Sequence, residues 1–349
     1  MLIKAQEGIN MKSMKGILQR FTISICVTSL AFVSYSCTKP ATDGGVPGTG
    51  ALYSGSGAAL IDAYQMLTEG RFIEAIEAFS EYREQIDAEY DAGSISLEIG
   101  MGKAYFGAGD YRNAMKSFGA AHNIDSERND IIHYLGQAQM QAGDYPGSVE
   151  SFRLLFERDP EDLAVLGKLA QALRKNRDYT SMYQLFLGSL ESVDDGDSPV
   201  KNYYLRMLLE AAQLTKDSNL IRQAVEQYKN TPQELAVKTG FEAYELLISG
   251  DEESAKAVIF DVNNIDALVE SAGRDGCYFG GYSDTGEYQG KGLIIFGSNS
   301  RYICQVYFGE FSGNKPNGAG MGYSGYAQKF EDKNGKYNVN KENNYIESG

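Results

Sequence analysis

Tryptophan is absent from this 349-residue chain, and histidine occurs only twice, as His122 and His133. Two imidazoles leave little with which to build a zinc site or a histidine-based acid–base pair. The four cysteines are Cys26, Cys37, Cys277 and Cys304, and no two form a CxxC pair. That removes the commonest zinc and thioredoxin-type patterns. Positive charge is short: 32 Lys and Arg stand against 47 Asp and Glu, a net charge of −15, with no basic stripe. Neutralising a phosphate backbone needs clustered cations, so nucleic acid is not an expected partner. No Ser-His-Asp arrangement, phosphate-binding loop or metal-ligand spacing occurs. The Gly-x-Gly pairs Gly290/Gly292 and Gly318/Gly320 fall in hairpin-like sequence, not in a strand-to-helix turn. The chain is therefore not expected to be an enzyme, to hold a metal or to carry a cofactor.

Long apolar runs are also missing. The most apolar stretch, residues 21–36, falls short of the roughly 20 residues that span a bilayer. It follows Lys12, Lys15 and Arg20 and ends in Ser34-Tyr35-Ser36, a small-x-small pattern, so 1–36 reads as a signal peptide. Glu7 is unusual in such a basic region, which makes Met11 or Met14 alternative starts. Cys37 follows directly. This order resembles a bacterial lipoprotein signal, in which the cysteine is acylated and becomes the first mature residue. Ser34 stands where that family usually has an aliphatic residue, with Val33 one step further out. The alternative is ordinary cleavage after Ser36, leaving a free thiol. Residues 37–58 are rich in Gly, Ser, Thr and Pro and read as a flexible linker.

Residues 59–270 carry a periodic pattern. In 129–162, Leu135-Gly136 is followed by Gly143-Asp144-Tyr145, then Ser148, Phe152 and Pro160. A small column runs Ala63, Gly102, Gly136, Ala170 and Ala243, and a second runs Ala75, Ala114, Ser148, Met182 and Ala255. An aromatic column runs Phe79, Phe118, Phe152 and Phe186, with Ile259 last, and another runs Phe72, Tyr111, Tyr145 and Tyr179. Phe118, Phe152 and Phe186 recur every 34 residues, while Phe79 precedes Phe118 by 39, so about five residues are inserted near 90–94. Several columns in phase resemble the tetratricopeptide repeat, a pair of antiparallel helices of about 34 residues. The resemblance implies an α-solenoid. Between 199 and 231 the signature fades, but Leu205, Leu208, Leu209 and Ala212 keep helical spacing, consistent with a degenerate helix pair. Asp194-Asp195-Gly196-Asp197 reads as a solvated turn or a weak cation site.

From Cys277 the pattern becomes Gly, Tyr and Phe in short alternating runs. Tyr278-Phe279-Gly280-Gly281-Tyr282 with Gly290-Lys291-Gly292, and Tyr307-Phe308-Gly309-Glu310-Phe311 with Gly318-Ala319-Gly320, each resemble a MORN repeat, a short β-hairpin. Tyr282 and Phe311 replace that family's usual Trp, and Tyr323-Ser324-Gly325 begins a third, incomplete unit. So few hairpins are expected to need support from the last helices. Residues 277–330 thus read as MORN-like hairpins and 331–349 as a polar, frayed tail. Cys277 and Cys304 are expected as either a disulfide or two small buried thiols.

The expected fold class is mainly α: a solenoid of tetratricopeptide-like helix pairs with a small C-terminal β-hairpin domain. In that family the first helix of each pair lines a concave surface. The resemblance therefore places Tyr64, Lys103, Phe106, His133, Gln137, Met140, Gln171 and Arg174 on or near a partner-binding face, with a plain solvated face as the alternative. The Lys/Asn pattern of chaperone-type carboxylate clamps is not present. The expected role is a scaffold at the bacterial cell envelope, held to a membrane by an N-terminal lipid on Cys37 and binding a protein or peptide. The alternatives are a glycan- or lipid-associated envelope factor acting through the aromatic hairpins, or an accessory subunit of an envelope enzyme complex.

Overall fold

A computed structural model describes residues 56–86, 91–193, 198–261, 263–298, 305–323, 337–340 and 345–348. The signal peptide, Cys37, most of the linker, the turn at 194–197 and Cys304 lie outside the described residues, as does part of the expected insertion near 90–94.

The molecule is mainly α, with a small antiparallel sheet at its C-terminal end. The helices are α1 (Ser56–Thr68), α2 (Phe72–Gln85), α3 (Asp91–Gly107), α4 (Tyr111–Ile124), α5 (Asn129–Ala142), α6 (Tyr145–Arg158), α7 (Leu163–Lys175), α8 (Tyr179–Glu191), α9 (Ser198–Thr215), α10 (Ser218–Glu226), α11 (Glu234–Ile248), α12 (Glu252–Ile259) and α13 (Ile265–Ser271). They form six consecutive pairs, α1–α2 to α11–α12, followed by α13. No helix among the described residues is long and apolar enough to cross a membrane.

The sequence columns form the core. Ala63, Ala75, Ala114, Ser148, Ala243 and Ala255 have no exposed surface, nor have Phe79, Phe118, Phe152, Phe186 and Ile259. The small residues are small because a ring lies on them. A Cβ on Gly102 would stand 2.6 Å from the Phe118 ring, and one on Gly136 3.1 Å from Phe152. Ser148 also donates to the Gly136 carbonyl at 2.9 Å, tying the two helices of that pair.

Each pair turns in the same way. The chain leaves the first helix through a left-handed residue, and in every pair but the first, where Arg71 precedes α2 without a side-chain cap, an Asp then caps the second. Gly70, Gly109, Gly143 and Gly250 fill the left-handed position, with Arg177 and Lys216 doing so at φ 58° and 60°. Asp110, Asp144, Asp178, Asp217 and Asp251 accept backbone N–H groups at the starts of α4, α6, α8, α10 and α12. The degenerate stretch is therefore a complete pair, α9–α10. Leu209, Ile221 and Val225, all buried, stand where other pairs have a small residue, a small residue and a ring.

The strands are β1 (Cys277–Tyr282), β2 (Tyr288–Ile295), β3 (Val306–Ser312), β4 (Lys315–Tyr323), β5 (Tyr337–Asn340) and β6 (Tyr345–Ser348), in the order β1-β2-β3-β4-β6-β5. All pairings are antiparallel. The stretch expected to be a frayed tail thus supplies two strands, β6 pairing with β4.

The hairpins β1–β2 and β3–β4 share one construction. In each, a tyrosine folds over glycines on its own and the neighbouring strand. A Cβ on Gly280 would stand 2.2 Å from the Tyr278 hydroxyl oxygen, and one on Gly320 2.3 Å from that of Tyr307. Each tyrosine hydroxyl donates to the carbonyl three residues on: Tyr278 to Gly281 at 2.9 Å, Tyr307 to Glu310 at 3.3 Å. In each the register shifts just after the covered glycine. These bulges let the ring lie flat along its strand.

One face of the sheet, through Phe279, Leu293, Ile295, Val306 and Phe308, joins the apolar core of the later helices. This core runs without a break from Ile132 on α5 to Tyr323 on β4. Phe279 seats on Gly240 of α11, where a Cβ would stand 2.6 Å from the ring. Buried Gln213 on α9 donates to the Tyr278 carbonyl at 2.8 Å and accepts from the Tyr282 hydroxyl at 3.0 Å. Tyr323 donates to Asp266 on α13 at 2.7 Å.

Candidate functional site

The first helices of successive pairs lie side by side, and side chains bridge them. From α1, the Tyr64 hydroxyl donates to the Ser96 carbonyl on α3 at 2.6 Å. From α3, the Lys103 ammonium sits 4.6 Å from the centroid of the Tyr134 ring on α5. From α7, Arg174 pairs with Glu210 on α9 at 2.6 Å. These contacts join α1 to α3, α3 to α5 and α7 to α9, and the buried core runs on from Ile132 of α5 to Leu166 and Leu169 of α7.

The eight residues expected on this face divide into three groups. Tyr64 is a packing residue: its ring meets Phe79 edge-on at 5.2 Å. Burial pushes its hydroxyl up to about 12, opposed in part by Arg128. It joins α1 to α3 and presents little to a partner.

Arg174 is engaged within the chain. Besides Glu210, it donates to the Gly286 carbonyl in the β1–β2 turn at 2.8 Å. Arg177 approaches Asp284 of the same turn at 3.7 Å, and Arg206 on α9 pairs with Asp275 just before β1. The β-sheet thus occupies the α9 end of the face and reaches α7. Arg174 is not a free positive spot, because the sheet's turn has taken its donors.

Lys103, Phe106, His133, Gln137, Met140 and Gln171 remain. All but Gln171 are half-buried, and Gln171 is exposed. Phe106 meets Tyr111 edge-on at 5.2 Å. His133 leans on Phe152, ring centroids 5.9 Å apart, and Gln137 Nε2 stands 3.4 Å from His133 Nε2. An amide nitrogen can only donate, so in this contact the ring nitrogen is the acceptor. Burial holds the His133 pKa below the ordinary 6.5, with the Lys168 ammonium adding to the effect and Asp162 opposing it. The site is a strip of mixed cation, ring, amide and thioether running over α3, α5 and α7.

This depressed pKa has a consequence for stability. The unfolded chain takes up a proton at His133 near its ordinary value, while the folded chain resists it to lower pH. The His133 contribution is complete above about pH 6.5 and is lost as pH falls through the lower folded value. The thermal midpoint should fall between pH 7.5 and 5.5, and by less in His133→Gln. Identical pH slopes in the two proteins would exclude His133 as the cause.

Among the described residues, the hairpin rings are mostly turned inward. Tyr278, Tyr307 and Phe311 are buried and pack on one another, with Tyr278 and Tyr288 stacked at 3.7 Å. Cys277 is half-buried in β1, and burial pushes its thiol up to about 12, which makes it a poor nucleophile. Its expected partner Cys304 lies outside the described residues. No group of three or more His, Cys, Asp or Glu among the described residues could hold a metal ion.

No known protein family matches the chain. No curated protein matches it either. Among solved structures it is similar to a tetratricopeptide repeat protein from Parabacteroides merdae, at 15% identity and a TM-score of 0.38, covering 61% of this chain and 82% of that one. It is also similar to YrrB, described as a TPR protein with an unusual peptide-binding site, at 12% identity and a TM-score of 0.38, covering 53% and 90%. A third is MamA from Desulfovibrio magneticus, at 13% identity and a TM-score of 0.34, covering 50% and 95%.

Proposed function

We propose that the protein is a non-catalytic scaffold that binds another protein or a peptide on the first-helix face over α3, α5 and α7. The observation that carries this reading is the strip itself. Lys103, Phe106, His133, Gln137, Met140 and Gln171 lie outside the repeat's packing columns, yet stand together on neighbouring helices. A surface selected only for solubility would favour charged side chains over an imidazole, two amides, a ring and a thioether. Repeat arrays present such strips as extended surfaces.

The test is positional photo-crosslinking. A crosslinking residue at Gln137 or Gln171 should trap a partner. The same residue at Glu150 on α6 or Gln184 on α8, both exposed on second helices, should not. Trapping only from the second-helix positions would reject the face.

The proposal includes export and a lipid anchor on Cys37, supported by the basic region, the apolar run and the cysteine in succession. Full-length protein should partition into detergent, and Cys37→Ser should release it. A serine variant still held firmly in the membrane fraction would refute the anchor.

A further inference from the structure

We infer that the segment bound by this face is acidic and extended, with carboxylates about six residues apart. This rests on the reading of α3–α5–α7 as a binding face and names the partner's chemistry. In a chain with 47 acidic and 32 basic residues, α7 has three cations, Lys168, Arg174 and Lys175, and no acid. One end of α7 already holds an acidic turn of the chain itself. Arg174 takes Glu210 and the Gly286 carbonyl, and Arg177 faces Asp284.

Two cations on α3 and α7 lack such partners. Among the described residues, neither Lys103 nor Lys168 forms an ion pair with a carboxylate. The contact of Lys103 is the Tyr134 ring, and Asp130, which feels its charge, is held by Arg128 at 2.6 Å. Lys168 stands one turn before Gln171 on α7 and so shares its side of the helix. Two half-buried lysines therefore stand on the helices either side of α5, which carries His133 and Gln137.

Spacing sets the ligand. Neighbouring packed helices lie about 8–10 Å apart, so α3 and α7 are separated by roughly 20 Å. An extended chain advances about 3.3 Å per residue, so roughly six residues cover that distance. An even separation also puts both carboxylates on one side of an extended strand. Between them the segment would meet Phe106 and Met140 with apolar side chains and Gln137 with its backbone. The chain's net charge opposes an acidic ligand at long range, but a Debye length of about 8 Å at physiological salt confines that opposition. The local pairs are what hold the segment.

The test uses the full chain and two fluorescein-labelled nonapeptides read by fluorescence anisotropy. One carries glutamate at its second and eighth positions with leucine and serine between. The other carries lysine at the same two positions. The glutamate peptide should bind at least tenfold more tightly than the lysine peptide. The double change Lys103→Glu and Lys168→Glu should weaken it at least tenfold, and Lys103→Met with Lys168→Met, which keeps the apolar stems, should weaken it similarly. Moving the glutamates to four residues apart should also weaken it. An unchanged circular dichroism spectrum would show that the variants fold. Equal binding of both peptides, no loss in the folded variants, or no binding of the glutamate peptide at about 1 mM would each overturn the inference. A partner crosslinked through Gln137 that has no acidic segment would also overturn it, while leaving the face as the binding surface.

Discussion

Phe279→Ala is expected to lower the stability of the C-terminal half by about 3–5 kcal/mol, the range for removing a fully buried ring. Phe279 has no exposed surface. It fills the space that Gly240 leaves open on α11 and lies 6.4 Å from the Phe241 ring. It also belongs to the same apolar core as Leu208, Val237 and Phe308, so its loss acts on helices and strands together. The urea midpoint should drop, and limited proteolysis should cut after α13 sooner than in the parent. Gly240→Val attacks the same contact from the other side, since a Cβ there would stand inside the ring's contact distance. A loss below about 1 kcal/mol for Phe279→Ala would mean that the sheet and the helices are separate folding units.

Phe152→Ala should cost a similar 3–5 kcal/mol, and its effect should spread further than that of Phe79→Ala. Both rings are fully buried. Phe152 sits mid-array, against Gly136 and His133 on one side and within the core that continues to the sheet on the other. Phe79 belongs to a smaller, separate cluster formed by α1, α2 and α3. In a solenoid each pair contacts only its neighbours, so a central loss breaks two junctions and a terminal one frays a single end. Hydrogen exchange would distinguish them. Phe152→Ala should raise exchange in α5 to α8, and Phe79→Ala only in α1 to α4. Ile73→Ser, at a side chain 62% exposed, should leave both patterns unchanged. Equal, local effects of the two phenylalanine changes would contradict a cooperative central core.

The packing columns were legible in the sequence because each position has one steric requirement repeated every 34 residues. Gly102 and Gly136 must be small where Phe118 and Phe152 land on them. The phase of α9–α10 was harder to see, since Leu209, Ile221 and Val225 replace the small and aromatic residues and Lys216 replaces the usual glycine. A polar signal survives there: Asp217 keeps the capping position of Asp110, Asp144, Asp178 and Asp251. A cap is needed whatever fills the core, so it outlasts the apolar pattern.

The candidate site was legible only in part. Helical spacing puts Gln137, Met140 and Gln171 among the candidates; Gln171 is exposed and the other two are half-buried. Spacing says nothing about what a distant segment will cover. Arg174 meets Gly286 across 112 residues of chain, and no local feature of α7 announces it. Tyr64 differs for a related reason: its hydroxyl finds the Ser96 carbonyl on the next pair, 32 residues on. Both corrections come from contacts that leave the repeat, one to the next pair and one to the sheet, which a column within each repeat cannot report.

The continuity of core between helices and sheet also sets an order of events during synthesis. The face of α11 around Gly240 emerges from the ribosome before Phe279, Leu293 and Phe308, which seal it. Roughly 80 residues separate Gly240 from the end of β4, about 4–16 seconds of translation at 5–20 residues per second. For that interval the nascent solenoid carries an open apolar side. The last hairpins made are therefore the ones that finish the fold, and a chain released before β3 would expose the surface that chaperones bind and aggregation exploits.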